Sequence, residues 1–229
     1  EQGNFFESNA EKANTYYFRA HELGDDNATY FLAVNFQFGV GVEQNTERSI
    51  EFYEEAISRG NESAVIDLAF FYVNEEFGNL DYEKGYNLFK SLADKGVADA
   101  QYNLGLMYEY GNFVDQSYEK AFGFYSPAHE QDFAPATYAI GEMLYNGFLE
   151  NEPNYELAGE HYQHAADLGY APAIYSLAWL WHYGEGRVQD GDKALALYMQ
   201  AAELDDPNAL NALGLIYSDP SNDVYDPTQ

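Results

Sequence analysis

One pattern of residues recurs six times along the chain, and consecutive copies begin 36 or 37 residues apart. We count positions within a copy from the alanine that opens it, so that position 0 is Ala28, Ala64, Ala100, Ala136, Ala173 and Ala209. Position 4 is Leu or Ile in every copy, and position 8 is aromatic or leucine. Because positions 0, 4 and 8 share one face of an α-helix, each copy predicts a helix with a buried face. Repetition at this length is typical of a chain built from small stacked units.

Every full copy also predicts a second helix. The first, helix A, ends where glycine tolerates the left-handed conformation of a helix C-terminus, at Gly39, Gly111, Gly147 and Gly184. The second, helix B, begins at a residue whose side-chain oxygen can accept from a free backbone N–H, at Asn9, Asn45, Asp81, Ser117, Asn154 and Asp190. Helix B buries an aromatic residue and a small residue one turn apart, such as Tyr53 and Ala56, and it ends at glycine or aspartate.

These signals predict twelve helices in a single domain over residues 1–229. A lone helix B forms the half-repeat 9–27, and helix pairs form repeats one to five at 28–63, 64–99, 100–135, 136–172 and 173–208. A final helix A forms the half-repeat 209–218, and an irregular tail follows at 219–229. Pro127 lies within helix B of repeat three, where its missing N–H predicts a kink or an early end.

The repeating pattern resembles the Sel1-like repeat, a relative of the tetratricopeptide repeat. Repeat three shows the resemblance best, with Ala100, Tyr102, Leu104, Gly105, Tyr108, Gly111, Lys120, Ala121, Tyr125 and Ala128. The resemblance implies an all-α fold, a right-handed α-solenoid of about five helix-turn-helix repeats with flanking half-repeats, whose A helices line the concave surface. It also implies an adaptor that binds other proteins. One branch of the family joins its repeats by disulfides, and this chain departs from that branch because it has no cysteine.

The composition narrows the classes of partner. Asp and Glu number 39 against 10 Lys and Arg, which gives a formal net charge of −29 with histidine neutral. A charge of this sign repels phosphate, so we expect neither nucleic acid binding nor attachment to an anionic membrane. No apolar run is long enough to cross a bilayer, which argues against direct membrane insertion. With 46% hydrophobic residues the chain can bury a core, unlike a disordered acidic tail.

The sequence contains no constellation of residues that carries catalysis. It lacks cysteine, the G-x-S-x-G and H-E-x-x-H motifs and a phosphate-binding loop, so we predict a non-enzymatic protein without cofactor or metal. His161 and His164 are three residues apart on helix B of repeat four and could share a metal ion with Glu160. Other repeats have Phe or Leu at the position of His161, so we favour one packed ring and one solvated ring.

The face of helix A opposite the buried positions is unusually apolar. Positions 2, 6 and 9 lie on that face, where an ordinary amphipathic helix is polar, yet twelve of their eighteen residues are aliphatic or aromatic. Packing between neighbouring A helices could account for position 2, and that explanation stays open beside a binding role. Tyr and Trp combine a large apolar surface with a polar atom, which suits them to anchor a partner. The candidate partner-binding residues are Tyr30, Phe38, Phe70, Tyr102, Leu106, Tyr110, Tyr138, Tyr145, Tyr175, Trp179, His182 and Tyr183.

This aromatic face predicts a scaffold or adaptor that binds a peptide or protein segment in a concave groove. No Lys or Arg occurs between Lys120 and Arg187, whereas nine acidic residues do, and their field would attract a partner with basic residues. The plainer explanation of this composition is a solvated acidic face. The alternative function is an inhibitor or immunity protein that neutralises a cognate toxin or enzyme, and carbohydrate binding is a third.

The two ends of the sequence lead to further expectations. No helix B follows Tyr217 to cover Leu210, Leu213 and Ile216, so a second copy, a longer chain or the tail itself is expected to cover them. Self-association through this half-repeat is one of these alternatives. Residue 1 is not Met, which indicates a processed form or a piece of a longer chain and favours an extracytoplasmic protein, periplasmic or secreted.

Overall fold

The computed structural model describes residues 9–77, 80–149 and 151–218. Within these ranges each full copy of the sequence pattern forms two helices, and there are twelve α-helices, one short 3₁₀-helix at Glu75–Phe77 and no strand. The α-helices are α1 (Ala10–Glu22), α2 (Asp26–Phe38), α3 (Thr46–Ser58), α4 (Glu62–Val73), α5 (Tyr82–Ala93), α6 (Ala98–Tyr110), α7 (Tyr118–His129), α8 (Ala134–Tyr145), α9 (Tyr155–Asp167), α10 (Ala171–Tyr183), α11 (Gly191–Glu203) and α12 (Pro207–Ser218). The predicted all-α fold is confirmed, with A helices even-numbered and B helices odd-numbered. The predicted tail 219–229 lies outside the described residues.

The B helices begin at the predicted caps. All six cap side chains accept a hydrogen bond from a backbone N–H three residues ahead. Asn154 Oδ1, for example, receives it from Leu157 at 3.1 Å. At the other end of two B helices, Asp132 and Asp205 adopt left-handed φ values of 57° and 59°. Aspartate thus takes the place of glycine there, as the sequence predicts.

One buried ring of each repeat joins helix B to the helix A before it. Tyr53, Tyr125, Tyr162 and Tyr198 occupy this position in four repeats, and each is at most 1% exposed.

Helices α1–α5 form one compact unit within Glu1–Lys95, and α6–α12 form a second within Gly96–Gln229.

The expected early end of helix B at Pro127 is wrong, because α7 continues through Pro127 to His129. Proline lies in the last turn, so the helix loses only the hydrogen bond that residue 127 would have donated to the carbonyl of Gly123.

No helix of the described ranges has both the length and the hydrophobicity needed to span a bilayer.

Candidate functional site

The twelve predicted partner-binding residues divide between the two units. Tyr30, Phe38 and Phe70 lie in the first unit, on α2 and α4, and the other nine lie in the second, on α6, α8 and α10. None of the twelve is fully buried. Phe38, Phe70, Tyr110 and Tyr183 are exposed, and the other eight are half-buried. The apolar face of helix A therefore remains at least partly accessible to solvent.

Position 2 connects neighbouring A helices. The hydroxyl of Tyr30 donates to Asp67 Oδ2 on α4 at 2.7 Å, and the hydroxyl of Tyr138 lies 3.4 Å from Ser176 Oγ on α10. Burial, with Asp67 as hydrogen-bond partner, raises the pKa of Tyr30 to about 12. These two tyrosines thus contribute to packing between repeats, which is one of the two explanations that the sequence leaves open.

The buried tyrosine of helix B donates its hydroxyl toward this face. Tyr125 donates to Glu109 Oε2 on α6 at 2.5 Å, and Tyr162 donates to Glu142 Oε1 on α8 at 2.5 Å. Burial raises the pKa of Glu109, and the hydrogen bond from Tyr125 opposes that rise. These pairs could not be predicted from a single position of the pattern, because position 9 supplies the carboxylate in repeat three and position 6 supplies it in repeat four.

Four of the predicted residues meet around one cavity in the second unit. The cavity has a volume of about 240 Å³ and lies between α8, α9 and α10. Its lining consists of the predicted residues Tyr138, Tyr145, Tyr175 and Trp179, together with Glu142, Tyr162 and Ser176. Tyr183 lies beside it, with its ring centroid 4.4 Å from that of Trp179. The remaining predicted residues of this unit do not line the cavity; they are Tyr102, Leu106, Tyr110 and His182.

The charged groups at this cavity are carboxylates. Glu142 lies in its lining, and Glu185 accepts a hydrogen bond from the hydroxyl of Tyr145 at 3.0 Å. Burial, and then Glu185, raises the pKa of Tyr145 to about 12, and burial also raises the pKa values of Tyr138 and Tyr162. The three hydroxyls therefore stay neutral at physiological pH. Neither Glu142 nor Glu185 takes part in an ion pair within the described residues.

A second cavity of the same unit, of about 550 Å³, was not predicted from the sequence. Apolar residues of α7, α8, α9 and the segment after α8 form most of its lining, namely Phe122, Ile140, Leu144, Phe148, Leu149 and Leu157. Other repeats place a cation of helix B over the ring at position 8, as where Lys193 Nζ lies 4.2 Å from the centroid of Trp181. Repeat four has Leu157 and Leu144 at these two positions, so no cation of helix B covers this part of its surface. Glu119 and His161 complete the lining of the cavity.

The histidines of repeat four lie beside a third histidine, His129 of α7. The ring centroids of His129 and His161 are 5.1 Å apart, and His164 Nε2 lies 3.0 Å from Asp132 Oδ1. His161 is half-buried, whereas the side chain of His164 is 40% exposed, in keeping with one packed ring and one more solvated ring. Burial, and then His129 and His164, lowers the pKa of His161 to about 4. Over the ranges that the structure describes, no group of three or more His, Asp or Glu side chains could hold a metal ion.

Comparison with solved structures shows the same fold in bacterial proteins. A Sel1 repeat protein from Oxalobacter formigenes has a TM-score of 0.78 at 22% identity, covering 93% of this chain and 91% of that one. The antigen c5321 of uropathogenic Escherichia coli has a TM-score of 0.70 at 25% identity over 92% of this chain, which spans only 45% of c5321. The immunity protein PA5088 from Pseudomonas aeruginosa has a TM-score of 0.58 at 21% identity, covering 96% of this chain and 78% of that one.

Comparison with curated proteins gives no match. The Sel1 repeat family model, in contrast, matches five consecutive segments, residues 26–61, 63–97, 98–133, 134–170 and 171–206. Four of these segments begin at the first residue of an A helix, and the remaining one begins one residue after it. Because the matches cover well over half of the sequence and follow its helical hairpins, the chain belongs to the Sel1 repeat family.

Proposed function

We propose that this protein is a scaffold that binds a protein or peptide segment through the aromatic surface of its second unit, which comprises Tyr138, Tyr145, Tyr175, Trp179 and Tyr183. Sel1 repeats generally mediate protein–protein interaction, and the family is typically non-enzymatic. The observation that carries the proposal is the cavity between α8, α9 and α10, around which five aromatic rings gather. Tyrosine and tryptophan are the residues that most often dominate the energetics of protein interfaces.

The other predicted residues have a lesser part in this proposal. Tyr102, Leu106, Tyr110 and His182 belong to the same unit and are proposed as additional contacts around the aromatic surface. Tyr30, Phe38 and Phe70 are proposed as contacts of the first unit, where Phe38 and Phe70 are exposed.

We propose further that the partner carries basic residues. Glu142 and Glu185 have no cationic partner within the described residues. In the sequence, no Lys or Arg occurs between Lys120 and Arg187. The negative electrostatic field of these carboxylates attracts a cationic partner, and salt shortens the range of this attraction. The association rate of the partner should therefore fall as the ionic strength rises.

The test is capture of a partner from the native source with the whole chain as bait, identification by mass spectrometry, and calorimetry with variants. Trp179→Ala and Tyr183→Ala should each weaken binding by about tenfold or more, as expected for aromatic anchors. Tyr16→Ala is the matched control, since Tyr16 is an exposed tyrosine on α1 in the other unit. Circular dichroism should show unchanged helicity. Unchanged affinity of the first two variants would contradict the proposal.

The alternative is an inhibitor or immunity protein that neutralises a cognate toxin or enzyme. It is supported by the likeness of fold to PA5088, which is described as an immunity protein. This alternative predicts a tight one-to-one complex that abolishes the activity of the captured enzyme, with contacts that include loops at one edge. An extended peptide that competes fully with the partner would favour the scaffold instead.

Self-association is proposed as a separate property of α12. Leu213 and Ile216 pack on the core formed by Ala178, Ala194 and Tyr198. Leu210 and Leu215 are more than half exposed. Light scattering should therefore show a dimer that Leu210→Glu and Leu215→Glu convert to a monomer, and a monomeric wild type would remove this proposal.

A further inference from the structure

The cavity between α8, α9 and α10 has aromatic walls and one carboxylate. Glu142 is half-buried there, and its Oε1 accepts the hydroxyl hydrogen of Tyr162, which is fully buried. This hydrogen bond fixes the orientation of the carboxylate. Burial of a charge costs free energy unless an opposite charge compensates it. Since Glu142 has no ion pair within the described residues, a cation from outside the chain would supply that compensation.

The rings around the carboxylate favour the same kind of ligand. The faces of Trp and Tyr rings are negative and attract cations, most strongly where water is partly excluded. The rings of Tyr175 and Trp179 have centroids 6.3 Å apart on α10, and Tyr138 and Tyr145 stand across from them on α8. Ser176 Oγ and the tyrosine hydroxyls add neutral acceptors for N–H donors.

We propose that this cavity is a binding site for one guanidinium group, that of an arginine side chain of the partner protein. The proposal rests on the proposed function, for which it names the chemistry of the ligand. Guanidinium is planar, carries five N–H donors and stacks on aromatic rings, whereas the ammonium of lysine is more strongly hydrated. The cavity, with a volume of about 240 Å³, has room for one side-chain head and its stem.

The experiment is an NMR titration of the whole chain with three capped tripeptides, Gly-Arg-Gly, Gly-Lys-Gly and Gly-citrulline-Gly. Citrulline has the shape of arginine without its charge. The reporter is the indole N–H resonance of Trp179. Trp181 is the internal reference, because its ring already lies near Arg187 and Lys193 of the chain itself. The arginine peptide should shift Trp179 in a saturable manner, the lysine peptide more weakly, and the citrulline peptide not at all.

Two variants separate the role of charge from that of the hydrogen bond. Glu142→Gln keeps an acceptor for Tyr162 but removes the charge, and it should weaken binding of the arginine peptide by about tenfold or more. Glu109→Gln is the matched control, since Glu109 accepts from Tyr125 in the same way but does not line the cavity. It should change the affinity much less than Glu142→Gln does, because Glu109 lies outside the cavity and acts on it only through its repulsion of Glu142. Folding of both variants is checked by urea denaturation.

Three outcomes would overturn the proposal: no shift of Trp179 with any peptide, equal binding of the citrulline peptide, or unchanged binding to Glu142→Gln. None of these results would remove the proposed function, which fails only if a captured partner binds Trp179→Ala and Tyr183→Ala as well as it binds the wild type. A partner that needs both of these rings but not Glu142 would retain the aromatic surface and exclude the guanidinium site.

Discussion

A fully buried tyrosine needs an acceptor for its hydroxyl, and this chain supplies one repeat by repeat. Tyr53 donates to Gln37 Oε1 in repeat one, at 2.6 Å, and repeat three uses Glu109 in the same position. In repeat two the ring is Phe89 and the matching residue of helix A is Val73, so neither partner is polar. Burial of the rings could be predicted from their spacing to a small residue. The acceptors could not, because the period of one helix does not show which residue of another helix faces the ring.

Alanine at Gly105 should destabilise the protein. A Cβ at Gly105 would lie 2.9 Å from Cζ of the buried Tyr125 ring and closer still to two other ring atoms. Overpacking of this kind costs about 1–3 kcal/mol, while replacing a helical glycine gains at most about 1 kcal/mol. We therefore expect Gly105→Ala to lower the midpoint of urea denaturation.

The control for this prediction is Gly123→Ala on α7. A Cβ at Gly123 meets no atom within 4 Å, so this variant should be as stable as the wild type or more stable. Equal stability of the two variants would mean that the ring of Tyr125 moves aside without cost, contrary to the prediction.

At the scale of the helix, local signals set some boundaries and packing sets others. The B helices begin at the predicted caps because a cap and its N–H partner are three residues apart. The A helices begin two residues before position 0 of each copy, and α8 and α10 follow Phe133 and Tyr170, which form no side-chain cap. These residues instead pack their rings 5.6 Å from Tyr102 and 5.4 Å from Tyr138, measured between centroids. Pro135 and Pro172, in the first turn of these two helices, are local start signals. The ring contacts are made with the preceding A helix, so the period of the pattern does not show them.

The contact between α7 and α9 should make stability depend on pH through His161. Its pKa is lowered from 6.5 to about 4 in the folded protein by burial, and then by His129 and His164. The unfolded chain therefore binds more protons between these values, so the stabilisation is complete above about pH 6.5 and is lost as the pH falls toward 4. His161→Phe, which adopts the residue of repeat one at this position, Phe52, should remove this dependence.

Urea denaturation of both proteins between about pH 7 and pH 4 tests the prediction. The wild type should lose about 2 kcal/mol more free energy of unfolding than the variant, an amount reduced for the partial solvent exposure of the ring. His161→Leu, with the residue of repeats two and five at this position, should behave like His161→Phe. Parallel pH profiles of wild type and variants would contradict the prediction.

At the scale of the whole molecule, the candidate site depends on how consecutive repeats lie beside one another. The period of the pattern assigned Tyr138, Tyr145, Tyr175 and Trp179 to one helical face, and the structure shows that all four line one cavity. The same period places Glu142 on that face, at position 6 of repeat four. It could not show that residues of α8 and α10 would line one cavity, since that requires the position of α10 relative to α8. The fold was thus predictable from local signals, whereas the chemistry of the cavity arises between repeats four and five.

The net charge of the whole chain should make its stability rise with salt. A formal charge of −29 repels itself more strongly in the compact state than in the unfolded chain. Arg48, Lys84, Lys120 and Lys193 lie over aromatic rings, so several of the few cations already serve local packing. Salt shortens the range of repulsion to about 10 Å at 0.1 M, so the Tm should rise between about 0.01 M and 0.3 M NaCl. KCl should have the same effect if ionic strength is the cause. A fall in Tm would mean that attractive pairs, such as Arg59 with Glu55, outweigh the repulsion.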